Sequence, residues 1–227
     1  MQRLLIIGTV WPEPRSSAAG SRMMQLIGFF QEEDYHITFA TTCAKTENAQ
    51  DLNHLGIDEV PIELNNSSFD TFIKNLNPDI VLFDRFMIEE QFGWRVAEQC
   101  PKTIKILDTE DLHGLRKGRH QALKDNRPFN KDYLLNDTAM REIASIYRCD
   151  LSLIISEAEM TIIKNDFKVA PSVVYYLPFL LNEITTETRD SLPAFEVRKD
   201  FITIGNFLHA PNLDAVKYLK ETIWPLI

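Results

Sequence analysis

Apolar positions along the chain alternate between two spacings. Leu4–Gly8 is a short apolar run closed by a glycine, too short for a helix, and it predicts a buried strand. After a loop punctuated by Pro12 and Pro14, Met23, Leu26, Ile27 and Phe30 fall at i, i+3, i+4 and i+7, one face of a helix. His36–Thr41 and a stretch at about Glu59–Leu64 return to strand chemistry. Phe69, Phe72, Ile73 and Leu76 repeat the helical spacing behind Ser67 or Ser68 as N-cap, and Asn77-Pro78 stops that helix before a strand at Asp79–Asp84. Ile88, Phe92, Val96 and Cys100 mark a further helical face ended by Pro101, with a strand at Thr103–Leu107. A long polar stretch follows without an apolar period. Beyond it, Leu135, Ala139, Ile143 and Ile146 predict a helix, Leu151–Ile155 a strand, Glu157–Asn165 a short helix and Val173–Leu177 another strand.

Strands separated by single helices are the mark of right-handed βαβ units. The predicted fold is α/β: a Rossmann-like, doubly wound, mostly parallel sheet spanning 1–180. From Phe179 to Lys199 the pattern lapses into polar residues with Pro193, so 181–199 reads as a linker. Residues 200–227 then hold one fresh βα unit, a strand at Phe201–Gly205 and a helix opened by Pro211 and Asn212 with Val216, Leu219 and Ile223 on its apolar face. A lone βα unit cannot cover its own faces. It is expected to be the start of an incomplete second α/β domain, either folded back or paired with its copy in a homodimer through 200–227.

Composition narrows the class. The 227 residues are 44% hydrophobic and 25% charged, which excludes disorder of the whole chain. The net charge of −9 argues against general nucleic-acid binding. No apolar run approaches the roughly 20 residues of a membrane span, and the four-residue run Leu4–Ile7 is no signal peptide. Three cysteines without metal-ligand spacing fit a reducing compartment, so the expected location is cytoplasmic.

Ligands of open parallel sheets sit beyond the carboxyl ends of the strands. The first strand leads to Ala18-Ala19-Gly20-Ser21, whose small residues allow close backbone approach at a helix N-terminus. This is neither a dinucleotide fingerprint nor a phosphate loop, and an ordinary helix start is the competing reading. The fourth strand ends in Asp84-Arg85, which reads as a self-contained surface pair. The fifth ends in Asp108-Thr109-Glu110-Asp111-Leu112-His113, the densest ionisable cluster of the chain. A metal site from Asp108, Asp111 and His113 has no second ligand cluster beside it, and no nucleophile elbow is present. A solvated loop with local capping contacts competes, for Glu110 in particular. Leu115–Lys131 then carries Arg116, Lys117, Arg119, Lys124, Arg127 and Lys131 against Asp125 alone. That run is a solvated loop, or it faces a phosphate, an acidic sugar or an anionic lipid surface. Ser156-Glu157 after the sixth strand is a candidate contact or simply an N-cap.

Three segments resemble the GT-B glycosyltransferases, in particular the retaining, nucleotide-sugar-dependent family four. Phe201–Ile227 is similar to the first βα unit of that family's second lobe. Arg148–Glu159 is similar to the segment closing the first lobe, with Asp150 before the strand and Ser156, Glu157 and Glu159 after it. Leu107–Arg116 resembles the acidic, His-containing loop after the fifth strand. The family's glycine pair after the first strand stands here as Ala19-Gly20, and its E-x7-E donor motif and basic pair are not found in these residues.

The resemblance implies sugar transfer from a nucleotide-sugar donor to a glycan, lipid or small-molecule acceptor with retained configuration, as in polysaccharide biosynthesis, without a bound metal. It implies that His113 touches the sugar or acceptor while Asp108 and Asp111 orient hydroxyls. Ala19, Gly20, Ser21, Ser156 and Glu157 are implied to approach the donor, and Arg116, Lys117 and Arg119 to shape the acceptor rim. With the donor half absent, this chain alone is expected to be inactive. The partners implied are the sugar donor and acceptor, with peripheral membrane contact but no nucleic acid and no integral span. The alternatives are a non-catalytic binding module derived from such a lobe and an unrelated nucleotide-binding enzyme.

Overall fold

A computed structural model of the protein describes residues 2–207 and 209–227. Leu208, inside the segment Phe201–Ile227, lies outside the described residues. The chain divides into two units, Met1–Leu180 and Leu181–Ile227.

The first unit runs β1 (Arg3–Gly8), α1 (Ala18–Glu32), β2 (His36–Thr41), β3 (Asp58–Pro61), α2 (Ser68–Leu76) and β4 (Ile80–Asp84). Next come α3 (Phe86–Ile88) and α4 (Trp94–Gln99), joined by a π turn at Glu89–Gly93, and then β5 (Ile104–Asp108). The unit ends with α5 (His113–Lys124), α6 (Lys131–Leu134), α7 (Asp137–Arg148), β6 (Leu151–Ile154), α8 (Glu157–Asn165) and β7 (Val174–Tyr176). Its seven strands pair in the order β3-β2-β1-β4-β5-β6-β7, every neighbour parallel. The predicted doubly wound sheet is therefore the fold of this unit. The strand order reverses between β1 and β4, where Leu4–Ile7 pair with Ile80–Phe83, so a crevice opens beyond Gly8 and Asp84.

Helices cover both faces, which is why the strands read as unbroken apolar runs. Along β1, Leu5 and Ile7 join Val81, Phe83, Phe69, Phe92 and Ile146 in one core. Leu4 and Ile6 point the other way, to Phe39, Leu82 and the α1 stripe Met23, Leu26, Ile27 and Phe30. Each fully buried large side chain contributes about 1.5–3 kcal/mol.

The polar stretch after β5 is where the reading fails. Residues 113–124 are a helix, not a loop. Their packing face is made of Gly114, Leu115, Gly118 and Ala122, small residues that give no bulky apolar period. A Cβ on Gly118 would stand 2.2 Å from the Tyr133 carbonyl oxygen, and one on Gly114 2.5 Å from Ala139 Cβ. The glycines thus set how closely α5 lies on α6 and α7. Gly28 in α1 is the contrast, because open space surrounds its would-be Cβ. Gly28→Ala should stabilise by about 1 kcal/mol through helix propensity. Gly118→Ala should instead destabilise by about 1–3 kcal/mol by overpacking. Urea midpoints at constant slope check both signs. A gain at Gly118 would show that α5 is not docked.

The second unit holds a short helix, α9 (Thr186–Ser191), within the predicted linker, and α10 (Ala210–Tyr218), opened by Pro211 as expected. Phe201–Gly205 forms no strand. Its composition suits one, but a strand needs a hydrogen-bonding neighbour and the unit supplies none among the described residues. Phe201 and Trp224 instead meet edge to face at 5.6 Å, and no described side chain of the unit is buried.

Candidate active-site crevice

The carboxyl ends of β1, β4 and β5 place Thr9, Asp84, Asp108 and Glu110 together. Asp84 and Asp108 are register partners of adjacent strands. Asp84 is 6% exposed and is no surface pair, a correction to the reading of Asp84-Arg85. Its Oδ2 accepts the Thr9 backbone N–H at 2.8 Å, and its carbonyl accepts the Thr9 hydroxyl at 3.0 Å. Its Oδ1 is buried without a hydrogen bond, because the nearest cation, Arg85 Nε, stands at 3.6 Å.

Asp108 is fully buried and turned toward α1. Arg22 Nε donates to both of its oxygens at 3.0 Å and Nη2 donates to Oδ1 at 2.9 Å. Arg22 Nη1 donates to the Leu177 and Pro178 carbonyls at 2.9 and 3.2 Å, so one side chain ties α1, β5 and the segment after β7. Burial pushes the Asp108 carboxyl up, and the Arg22 hydrogen bonds oppose that.

Glu110 corrects the solvated-loop reading. It is 8% exposed, its Oε1 takes no hydrogen bond, and its φ is +61°. Burial first, then the charges of Asp108 and Asp84, push its pKa up to about 7. Arg85 beside it sits at φ +72° with its N–H on the Asp108 carbonyl at 2.8 Å. Two adjacent strand ends thus hold non-glycine residues in a sparsely populated conformation, which is typical of functional loops.

The remaining candidates disperse. Asp111 pairs with Arg116 at 3.0 Å. The His113 ring stacks edge to face on Phe86, with Nδ1 3.2 Å from the Asp111 carbonyl oxygen and 3.4 Å from Glu142 Oε1. The N-terminus of α5 is closed by carboxylates of later helices. Glu142 accepts from the His113 and Gly114 N–H groups, both at 2.6 Å, and Glu159 accepts from Leu112 at 3.1 Å. Asp108 is therefore engaged apart from Asp111 and His113, which meet each other. Among the described residues, no group of three His, Cys, Asp or Glu is placed to hold a metal.

Gly20 N–H donates to the N-cap Ser17, and a Cβ at Gly20 would lie 2.4 Å from the Glu13 backbone. The loop before α1 folds down onto that glycine. Ser21 Oγ donates to the Pro14 carbonyl, while Ala19 is half-buried in the first turn. Ser156 caps α8 through the Glu159 N–H, and Glu157 is exposed. Arg116, Lys117 and Arg119 leave α5 in different directions. Lys117 donates to the Thr138 hydroxyl at 3.0 Å and lines a surface pocket of about 380 Å³ with Gln121, Tyr133 and Asn136. Arg119 lies over Phe129, 5.9 Å from the ring centroid.

Sequence reasoning missed Arg22 and the part Asp84 plays, having read it as half of a surface pair; it also missed Glu142, and named Glu159 without its role at the α5 N-terminus. A cation next to the α1 apolar stripe and an acid closing an apolar strand were the signals available for the first two.

No protein-family model matches the chain, and no curated protein matches it either. Solved structures do. A sucrose-phosphate synthase from Thermosynechococcus elongatus superposes with a TM-score of 0.52 at 12% identity, covering 78% of this chain and 48% of the synthase. The apo form of a lipopolysaccharide outer core galactosyltransferase gives 0.51 at 13% identity, covering 82% and 47%. The chain spans about half the length of each. No helix among the described residues is long and apolar enough to cross a membrane. This chain has the Rossmann-like α/β fold of the matching part of the synthase and the galactosyltransferase, about half of the length of each.

Proposed function

We propose that the chain is the acceptor-side lobe of a glycosyltransferase that moves a sugar from a nucleotide-sugar donor to a hydroxyl-bearing acceptor. The observation that carries this reading is that two of the three buried carboxylate oxygens without hydrogen bonds among the described residues, Asp84 Oδ1 and Glu110 Oε1, lie at the switch point of a glycosyltransferase-like sheet, while the third, Glu159 Oε2, lies by the α5 N-terminus. Buried polar atoms demand partners, and each bare acceptor costs about 1–3 kcal/mol. The hydroxyls of a saccharide are donors that satisfy both.

In this reading Asp84 and Glu110 bind the acceptor, Asp111 at the rim orients a further hydroxyl, and Asp108 is a positioning residue held by Arg22. His113 braces the loop through Glu142 rather than reaching the sugar. Ala19, Gly20 and Ser21 shape the α1 side of the crevice toward the donor. Ser156 and Glu157 flank it from α8. The transfer is retaining and uses no metal, and donor binding requires a second α/β domain.

The test has two arms. Saccharide titration followed by NMR should shift the Thr9, Asp84 and Glu110 resonances, and Asp84→Asn should remove the shifts while leaving the fold intact. Saccharides that shift none of these residues would sink the acceptor assignment. The chain alone, given a panel of nucleotide sugars, should release no nucleoside diphosphate. Release above the level of an Asp84→Asn, Glu110→Gln double variant would refute the need for a separate donor domain.

A further inference from the structure

We infer that the sugar taken by this crevice carries an ammonium group, which Asp84 and Glu110 bind together. The inference rests on the acceptor reading above and narrows it to amino sugars.

Hydrogen bonding alone does not separate a hydroxyl from an ammonium, since either donates to the bare Asp84 Oδ1 and Glu110 Oε1. Charge does. Three carboxyl groups, Asp84, Asp108 and Glu110, meet at these strand ends with two guanidiniums, Arg22 and Arg85. Arg22 is committed to Asp108 and to the Leu177 and Pro178 carbonyls. Asp84 and Glu110 are left to share Arg85, whose Nε stands 3.6 Å from Asp84 Oδ1, too far for a hydrogen bond. Among the described residues Glu110 enters no ion pair. The charges of Asp108 and Asp84 each oppose its ionisation more than Arg85 or Arg22 favours it.

The crevice thus holds one negative charge more than it pairs. Asp84 and Glu110 are both more than nine-tenths buried, so water does little to relieve them. A water or a sugar hydroxyl fills the empty hydrogen bonds but leaves the two like charges facing each other. An ammonium fills the same bonds with up to three donors and cancels the excess. A metal ion fits less well, because no group of three His, Cys, Asp or Glu among the described residues is placed to hold one. An acidic or phosphorylated sugar adds to the excess and is turned away. Asp84 and Glu110 therefore set specificity as well as affinity.

Glucose, 6-amino-6-deoxyglucose and glucuronic acid vary the charge on one ring, and glucosamine moves the ammonium to another carbon. Each is titrated against the full chain at pH 7 and constant ionic strength, following the Thr9, Asp84 and Glu110 resonances by NMR. At least one amino sugar should bind about tenfold more tightly than glucose, the gain of a charge-assisted over a neutral hydrogen bond. Glucuronic acid should bind more weakly than glucose. Glu110→Gln keeps the shape and removes the charge, so it should remove most of the amino-sugar preference. Lowering the pH of the parent to about 5, where the raised Glu110 carboxyl is protonated, should do the same without a substitution. Amino sugars bound no more tightly than glucose, glucuronic acid bound as tightly as they are, or a preference untouched by both Glu110→Gln and low pH would overturn the inference and leave the acceptor reading standing. Saccharides of every charge that shift none of the three residues would overturn both. Potassium chloride reproducing the shifts would assign the pair to an inorganic cation and overturn the inference.

Discussion

Replacing Arg22 with methionine is expected to destabilise the first unit by about 3–5 kcal/mol, because it strands a buried carboxylate. Asp108 has no exposure and takes all of its side-chain hydrogen bonds from Arg22. Without the guanidinium, Asp108 must stay charged away from water beside the Asp84 carboxylate or take up a proton that burial already favours. The Leu177 and Pro178 carbonyls lose a donor in the same step. The double variant Arg22→Met, Asp108→Leu should recover part of the loss, since a buried ion pair is replaceable by packing while half of one is not. Guanidinium unfolding at constant slope gives the numbers. A single variant costing less than about 1 kcal/mol, or a double variant costing the sum of the two singles, would show that the pair is not the clasp described here.

The contrast between what was legible and what was not has one physical origin. β1, β2, β4 and β6 were readable because a strand covered on both faces is a run of large apolar residues, and that is a local property. α1 was readable because Met23, Leu26, Ile27 and Phe30 pack on the sheet as a bulky stripe. α5 packs on glycine instead. Closeness is achieved there by the absence of side chains, and absence has no period to read. Phe201–Gly205 failed for the opposite reason: β-branched and aromatic composition was present, but a strand is defined by its neighbour. The crevice was legible at the level of strand ends, which is why Asp84, Asp108 and Glu110 all fell within candidate segments. Their assignments were not legible. Asp108 meets Arg22 across 86 residues of chain. Only the fold decides that Asp108 turns inward to a guanidinium while Glu110, two residues on, is left bare.

Glu110 should make the protein less stable as pH rises from about 4.5 to about 7, against the usual behaviour of a carboxylate held by a cation. In the unfolded chain it loses its proton near the ordinary value of 4.5, whereas in the fold burial and the Asp108 and Asp84 charges hold the proton until about 7. Between those values the folded state binds more protons than the unfolded one, so each step upward in pH favours unfolding, and above about 7 the penalty is complete. A shift of that size corresponds to about 3 kcal/mol. Glu110→Gln removes the ionisation and keeps the shape. The variant should equal the parent near pH 4 and exceed its stability by about 3 kcal/mol at pH 8, read from urea midpoints across that range. Carbon-detected NMR of the Glu110 carboxyl should show titration near 7, and a midpoint near 4.5 would remove the premise. The same proton reports on ligand. A saccharide hydroxyl donating to the bare Oε1 favours the carboxylate and lowers that midpoint, so acceptor binding at pH 7 should release a fraction of a proton. Calorimetry in two buffers of different ionisation enthalpy measures that release. Saccharide binding with no proton release at pH 7 would place the sugar away from Glu110, whatever its affinity.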